Sequence, residues 1–113
     1  MKKSQPTGEG NRCDKVLKAI GDYWTLTIIG VLGQGERRFC EIERAIPTIN
    51  PVTLTARLKK MEQIGFIERR TEAEKKIPVI YGLTSEGLEL LPITTDIQKF
   101  AESFAPRRSI KQK

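Results

Sequence analysis

The stretch from Asn50 to Thr84 constrains the fold more than any other part of the chain. It opens on Asn-Pro, a pair suited to a helix start. Asparagine caps free N–H groups, and proline fits the first helical position, where a missing N–H costs nothing. Leu54, Leu58 and Met61 follow at i, i+4 and i+7, which stacks them on one side of a helix over Pro51–Ile64. Gly65 is placed to close that helix as a C-terminal cap. Two short runs come next, Phe66–Arg70 and Ile77–Leu83, around the polar loop Thr71–Lys76. They predict a β-hairpin, with Ile77, Val79, Tyr81 and Leu83 on one face. Pro78 has no ladder hydrogen to donate, so its N position should turn away from the partner strand.

Two strands need something to pack on. The run Tyr23–Leu32 is apolar almost all round and predicts a central buried helix, although its Thr, Ile and Val content also suits a strand. A first helix is expected over Cys13–Ile20, with Val16, Leu17 and Ile20 on one side. Gly33-Gln34-Gly35 ends the central helix, and Arg37-Arg38-Phe39 reads as extended or as the approach to a helix. Phe39, Ile42 and Ile46 mark a short helix ending before Pro47. Thr84 or Ser85 caps a last helix carrying Leu88, Leu91, Ile93, Ile97, Phe100, Ala101 and Phe104, with Pro92 imposing a kink or restart. The expected fold is mainly α with a small β-hairpin wing, a winged helix-turn-helix with a C-terminal dimerisation helix. Residues 1–11 form a polar, flexible arm, residues 12–105 the domain with its dimerisation helices, and residues 106–113 a basic tail.

The chain of 113 residues is long enough for one domain and one core. It contains no histidine, which removes the commonest general base and the commonest transition-metal ligand. Two cysteines without histidine cannot complete a zinc site in one chain. With no Gly-rich phosphate loop either, the sequence argues against an enzyme and calls for no metal and no cofactor. No apolar run approaches a membrane span, and the N-terminus has no secretory h-region. A cytoplasmic address follows, with Cys13 and Cys40 as reduced thiols. Lys and Arg number 20 against 14 Asp and Glu, a net charge of +6 that favours a polyanionic partner.

The face opposite the Leu54 stripe carries Val52, Thr53, Ala56, Lys59, Lys60 and Gln63, with Arg57 at its border. Hydroxyls, methyls and cations of this kind match the acceptors and thymine methyls of a major groove. Arg69, Arg70, Lys75 and Lys76 are candidate wing contacts to DNA, interleaved with Glu68, Glu72 and Glu74. Arg37 and Arg38, before the third helix, are candidate backbone contacts. Leu91, Ile97, Phe100 and Phe104 exceed what so small a domain can cover, and point to a homodimer on a pseudo-palindromic double-stranded operator. Cys13 is a candidate redox sensor, with Arg12 and Lys15 favouring its thiolate and Asp14 opposing it, or else a small residue at a dimer contact. Cys40 reads as core or semi-buried filler. A winged helix that binds another protein without specific DNA binding is the alternative function, supported by Val52 and the acidic wing residues.

Five pieces of the chain, in order, resemble the HxlR-type family of bacterial and archaeal winged-helix regulators across Val16 to Phe104. They are Ile20-Gly21-Asp22-Tyr23-Trp24-Thr25, Arg38-Phe39-x-x-Ile42, Ile49-Asn50-Pro51-x-Thr53-Leu54-x-x-Arg57-Leu58, Gly65-Phe66-Ile67-Glu68-Arg69 and Pro78-x-x-Tyr81-x-Leu83-Thr84-x-x-Gly87. The resemblance implies a homodimer whose recognition helices enter successive major grooves while the wings reach flanking minor grooves or phosphates. It implies a local repressor or activator responsive to a small molecule or to oxidative or electrophile stress. By position it assigns base contacts to Val52, Thr53, Ala56, Arg57 and Lys60, and wing contacts to Arg69, Arg70, Lys75 and Lys76. The chain departs from the family pattern in three places. Asp22 and Tyr23 stand where a small and a basic residue are usual, and Val52 stands where a lysine is frequent. Cys13 precedes Trp24 by eleven positions rather than about thirteen, and matching from Leu17 puts Asn11 where the family's sensor thiol would sit.

Overall fold

The computed structural model describes residues 8–72 and 77–108. In chain order these form α1 (Gly8–Ile20), α2 (Tyr23–Leu32), β1 (Arg37–Arg38), α3 (Phe39–Ala45), α4 (Pro51–Ile64), β2 (Ile67–Glu72), β3 (Ile77–Leu83) and α5 (Ser85–Arg108). The strands make one antiparallel sheet in the order β1-β3-β2. This is the expected winged helix-turn-helix architecture.

The Tyr23–Leu32 run is a helix because its ends and side chains are satisfied as one. Asp22, extended at φ −94° and ψ 129°, caps it by accepting the Thr25 N–H at 3.0 Å. Thr27 donates its hydroxyl back to the Tyr23 carbonyl at 2.9 Å, so this β-branched residue is accommodated within a helix. Only one side is deeply buried, through Thr25, Ile28, Ile29 and Leu32. Tyr23 is exposed and Trp24 half-buried, their rings edge-to-face at 4.9 Å. The all-round burial expected from composition is therefore replaced by an open second side beside α5.

The core forms where α2 meets α4. Ile28, Ile29, Ile42, Leu54, Leu58, Met61 and Ile67 are all fully buried. Each such side chain contributes roughly 1.5–3 kcal/mol through the surface it removes from water. The Leu54–Leu58–Met61 stripe thus settles which side of α4 faces inward.

The wing departs from the expected hairpin in two respects. β2 starts and ends later, at Ile67 and Glu72, and Arg37–Arg38 adds a third strand, pairing Arg37 with Tyr81 and Arg38 with Ile80. A two-residue strand has no readable period, so the sequence there reads only as extended or helix-leading. It is in fact both. The Arg38 N–H donates to Glu41 Oε1 at 2.8 Å as α3 begins. On the other edge, Arg70 pairs with Ile80 but Glu72 pairs with Ile77, so β3 carries one extra residue there. Pro78 falls inside that bulge, where its missing N–H breaks no regular ladder.

Both terminal helices outrun their expected limits. α1 begins at Gly8, within the segment assigned to a flexible arm, because extending an established helix adds one hydrogen bond per residue fixed. α5 passes through Pro92 without ending and reaches Arg108, inside the expected tail. The hydrogen bond forfeited at Pro92 is offset by the burial of Leu90 and Thr94 on either side of it, and Thr94 Oγ1 donates to the Leu91 carbonyl at 2.9 Å.

A tight junction joins α4, the wing and α5. Gly65 adopts φ 107° and donates to the Met61 carbonyl, and Phe66 donates to the same oxygen. Thr84 donates its N–H to the Phe66 carbonyl and its hydroxyl to that of Gly65, while the hydroxyl oxygen accepts the Gly87 N–H at 3.0 Å. Gly87 packs so closely that a Cβ there would lie 2.2 Å from the Phe66 oxygen. Gly87→Ala should lower the urea unfolding free energy by about 1–3 kcal/mol through this clash. Gly65→Ala should cost about 1–2 kcal/mol for its left-handed backbone, and Gly65→Asn less, because asparagine tolerates that conformation.

Candidate nucleic-acid interface

α4 is anchored at its start by Asn50, whose Oδ1 accepts the Thr53 N–H at 2.8 Å, with Pro51 in the first turn. Opposite its buried stripe, Val52, Ala56, Lys59 and Gln63 recur at helical spacing as an exposed outward ridge. Val52 is 78% exposed. Lys60 is exposed on one flank, and Thr53 is half-buried beside it. Five of the six residues expected to read DNA from this helix therefore lie on or beside the ridge.

Arg57 is the exception. It sits about 100° round the helix from Ala56, and its guanidinium grips Asp22, Nε to Oδ2 at 2.8 Å and Nη2 to Oδ1 at 3.0 Å. The same carboxylate accepts the Thr25 N–H and hydroxyl. Arg57, expected among the base-reading residues, links α4 to the cap of α2, because the short Asp22 side chain lies within reach of its fork. The Arg57 hydrogen bond holds the Asp22 carboxyl down at about 2, helped by Thr25 and opposed by desolvation, and Asp22 in turn raises Arg57.

Two notches flank the ridge. The first, of about 340 Å³, lies against α1 and α2 and is lined by Lys18, Asp22, Thr25, Ala56, Arg57 and Lys60, among others. The second, of about 310 Å³, lies against the wing between Thr55, Lys59, Glu62, Arg69 and Tyr81. Lys18 escaped sequence reasoning because a lone lysine in the last turn of a helix carries no spacing signal.

The wing cations are partly engaged. Arg69 Nε lies 3.8 Å from Glu62 of α4, and Arg70 Nη2 lies 2.5 Å from Glu36 beside β1. Pairs this exposed contribute little stability, on the order of 0–1 kcal/mol each, but they lower the charge offered to a polyanion. Arg37 is half-buried and donates to the Glu36 carbonyl at 2.8 Å, whereas Arg38 is exposed. Lys75 and Lys76 lie outside the described residues.

On α5, Ile97 and Phe100 are exposed, and Phe100 stacks on Phe104 at 5.3 Å with the Arg107 guanidinium 5.7 Å from the Phe104 ring. Leu88, Ile93, Leu17 and Tyr23 are also exposed. Leu91, expected at a dimer contact, is half-buried and packs against the core. Its methyls fill the space beside Gly33, where a Cβ would lie 2.8 Å from them. Cys13 is exposed. Cys40, expected to be core or semi-buried, is exposed as well, because Phe39 and Ile42 supply the inward side of α3 and turn it out beside Arg44. Among the described residues no helix is long and apolar enough to cross a membrane.

An outward ridge on the helix of a helix-turn-helix, set beside a three-stranded wing, agrees with the comparison of the chain with known proteins. A family model for HxlR-like helix-turn-helix proteins matches residues 19–109. The chain belongs to that family. It is 36% identical over 93 residues to the HTH-type transcriptional regulator YodB of Bacillus subtilis, covering 82% of this chain and 83% of YodB. The reduced form of YodB matches this HxlR-type chain with a TM-score of 0.73 at 33% identity, covering 90% of this chain and 95% of YodB. The redox regulator HypR in its oxidised form matches with a TM-score of 0.73 at 30% identity, covering 80% and 94% respectively.

The Asp22–Arg57 pair makes stability pH-dependent in a defined direction. The folded carboxyl titrates at about 2, below its ordinary 3.8, so the unfolded chain binds more protons between these values and stability rises with pH. The contribution is complete above the ordinary carboxylate value and is lost as pH falls through about 2. Asp22→Asn should cost on the order of 1–2 kcal/mol near neutral pH. Urea unfolding at stepped pH should show the difference between the two proteins shrinking as pH falls from 4 to 2.

Proposed function

We propose that this chain is a sequence-specific, double-stranded DNA-binding transcriptional regulator that acts as a homodimer in the cytoplasm. The observation that carries the reading is the α4 ridge, an exposed helical face of Val52, Ala56, Lys59 and Gln63 flanked by Lys60 and Lys18. A helix of this kind enters a major groove, its first residues meeting base edges while flanking lysines meet phosphates. Thr53 and Arg38 add contacts at the start of α4 and of α3, and Arg69, Arg70, Lys75 and Lys76 serve the wing. Arg37 joins Arg38 at the backbone.

Homodimer formation is supported by the apolar side of α5. Phe100 is 61% exposed and continues through Ile97 and the Phe104 stack, a patch that a second copy would cover. Two α4 helices related by a twofold axis then match a pseudo-palindromic operator. The relatives YodB, in its reduced form, and the redox regulator HypR support a redox-responsive regulator. Cys13 is the exposed α1 thiol available for that role. A second reading, a winged helix used to hold another protein, draws on the pairing of Arg69 with Glu62 and of Arg70 with Glu36.

Fluorescence anisotropy against a duplex enriched by this protein from a randomised pool, beside its scrambled counterpart, separates the two readings. A regulator binds the enriched duplex at least a hundredfold more tightly, and its affinity falls steeply with salt. Lys59→Ala and Lys60→Ala should each reduce the slope of log affinity against log salt by about 1. Phe100→Glu should move the protein to monomer in sedimentation and abolish preference for the two-half-site duplex. Equal, weak binding to both duplexes would favour the protein-binding reading.

A further inference from the structure

Val52 is the most exposed large apolar residue among those described, and it stands at the second position of α4. Its side chain neither donates nor accepts a hydrogen bond. Polar and basic groups share its side of the helix: Asn50 caps the helix two residues before it, and the exposed Lys59 and Lys60 stand about two turns on. A basic frame disfavours an apolar protein surface or a second copy as the occupant and favours a polyanion. Within a major groove the apolar group on offer is the C5-methyl of thymine. Ala56, one turn on, extends the apolar part of the ridge by roughly 6 Å. That is close to two base steps at about 3.4 Å each.

We propose that Val52 reads a thymine methyl, so that each operator half-site carries a thymine at the base pair facing the start of α4. This inference rests on the reading of α4 as the recognition helix. It gives Val52 a specificity role in place of a polar contact. The N-terminal end of such a helix lies among the base edges, and the Asn50 cap and Pro51 hold that end in a fixed conformation. A methyl contact of this kind transfers one apolar group from water, which corresponds to about a fourfold change in affinity.

The test replaces each thymine of the enriched duplex by uracil, one at a time, which removes the methyl and leaves every hydrogen-bonding edge unchanged. Anisotropy should show one uracil position per half-site at which the wild-type protein loses about fourfold. Val52→Ala, which removes a solvent-exposed side chain and should leave the melting temperature unchanged, should bind the thymine and uracil duplexes equally at that position. If every uracil duplex is bound like the parent while the parent still exceeds its scrambled counterpart, Val52 is not a methyl reader and the regulator reading stands. A uracil effect that persists in Val52→Ala assigns the methyl to another residue and overturns the proposal. If the parent duplex is not preferred over the scrambled one, the regulator reading falls and this inference with it.

Discussion

The outward aim of α4 depends on the carboxylate of Asp22, which closes the N-terminus of α2 and at the same time receives both ends of the Arg57 fork. The Leu54–Leu58–Met61 stripe holds α4 against the core, but apolar burial has no preferred direction and leaves a helix some freedom to roll. A bidentate guanidinium–carboxylate pair does have one, because two parallel hydrogen bonds fix the plane of the fork. The pair is partly open to water, so its larger effect is on orientation rather than on total stability. With that angle fixed, Val52, Ala56, Lys59 and Gln63 point away from the protein and Lys60 leans toward the notch shared with Lys18.

Charge is distributed unevenly over the candidate interface. Among the described residues the lysines of α4 take no part in an ion pair, whereas Arg69 and Arg70 each face a glutamate. The first of these pairs links the wing to α4 and the second links it to the segment before β1. The wing arginines thereby present less free positive charge than their number suggests, while Lys59 and Lys60 present theirs to solvent.

Much of this fold was legible because its signals are local. The Asn50-Pro51 start, the i, i+4, i+7 stripe and the Gly65 stop each act within a few residues, and α4 has the bounds they imply. The hairpin was legible from alternation, but its bulge at Pro78 and the two-residue β1 were not, since neither leaves a period. The Arg57–Asp22 pair is not legible in the sequence for a different reason. The spacing of Arg57 puts it at the edge of the exposed face, and only the tertiary approach of a residue 35 positions away decides where its fork goes. Lys18, Leu91 and Cys40 share that cause: their surroundings are made by elements distant in sequence. The ridge itself was visible in the sequence. The two notches that bracket it were not.

The junction at Thr84 has a mechanical consequence. One side chain ties the end of α4, the foot of the wing and the first turn of α5, and the near-contact of Gly87 with Phe66 leaves no slack between them. These three parts therefore turn as one body. In the homodimer proposed above, a tilt of α5 would carry the α4 ridge and the wing with it, so the spacing between two such ridges would follow from how two copies of α5 cross rather than from any bend near the ridge. The far end of α5, where Phe100 and Phe104 stack, is the long arm of that lever.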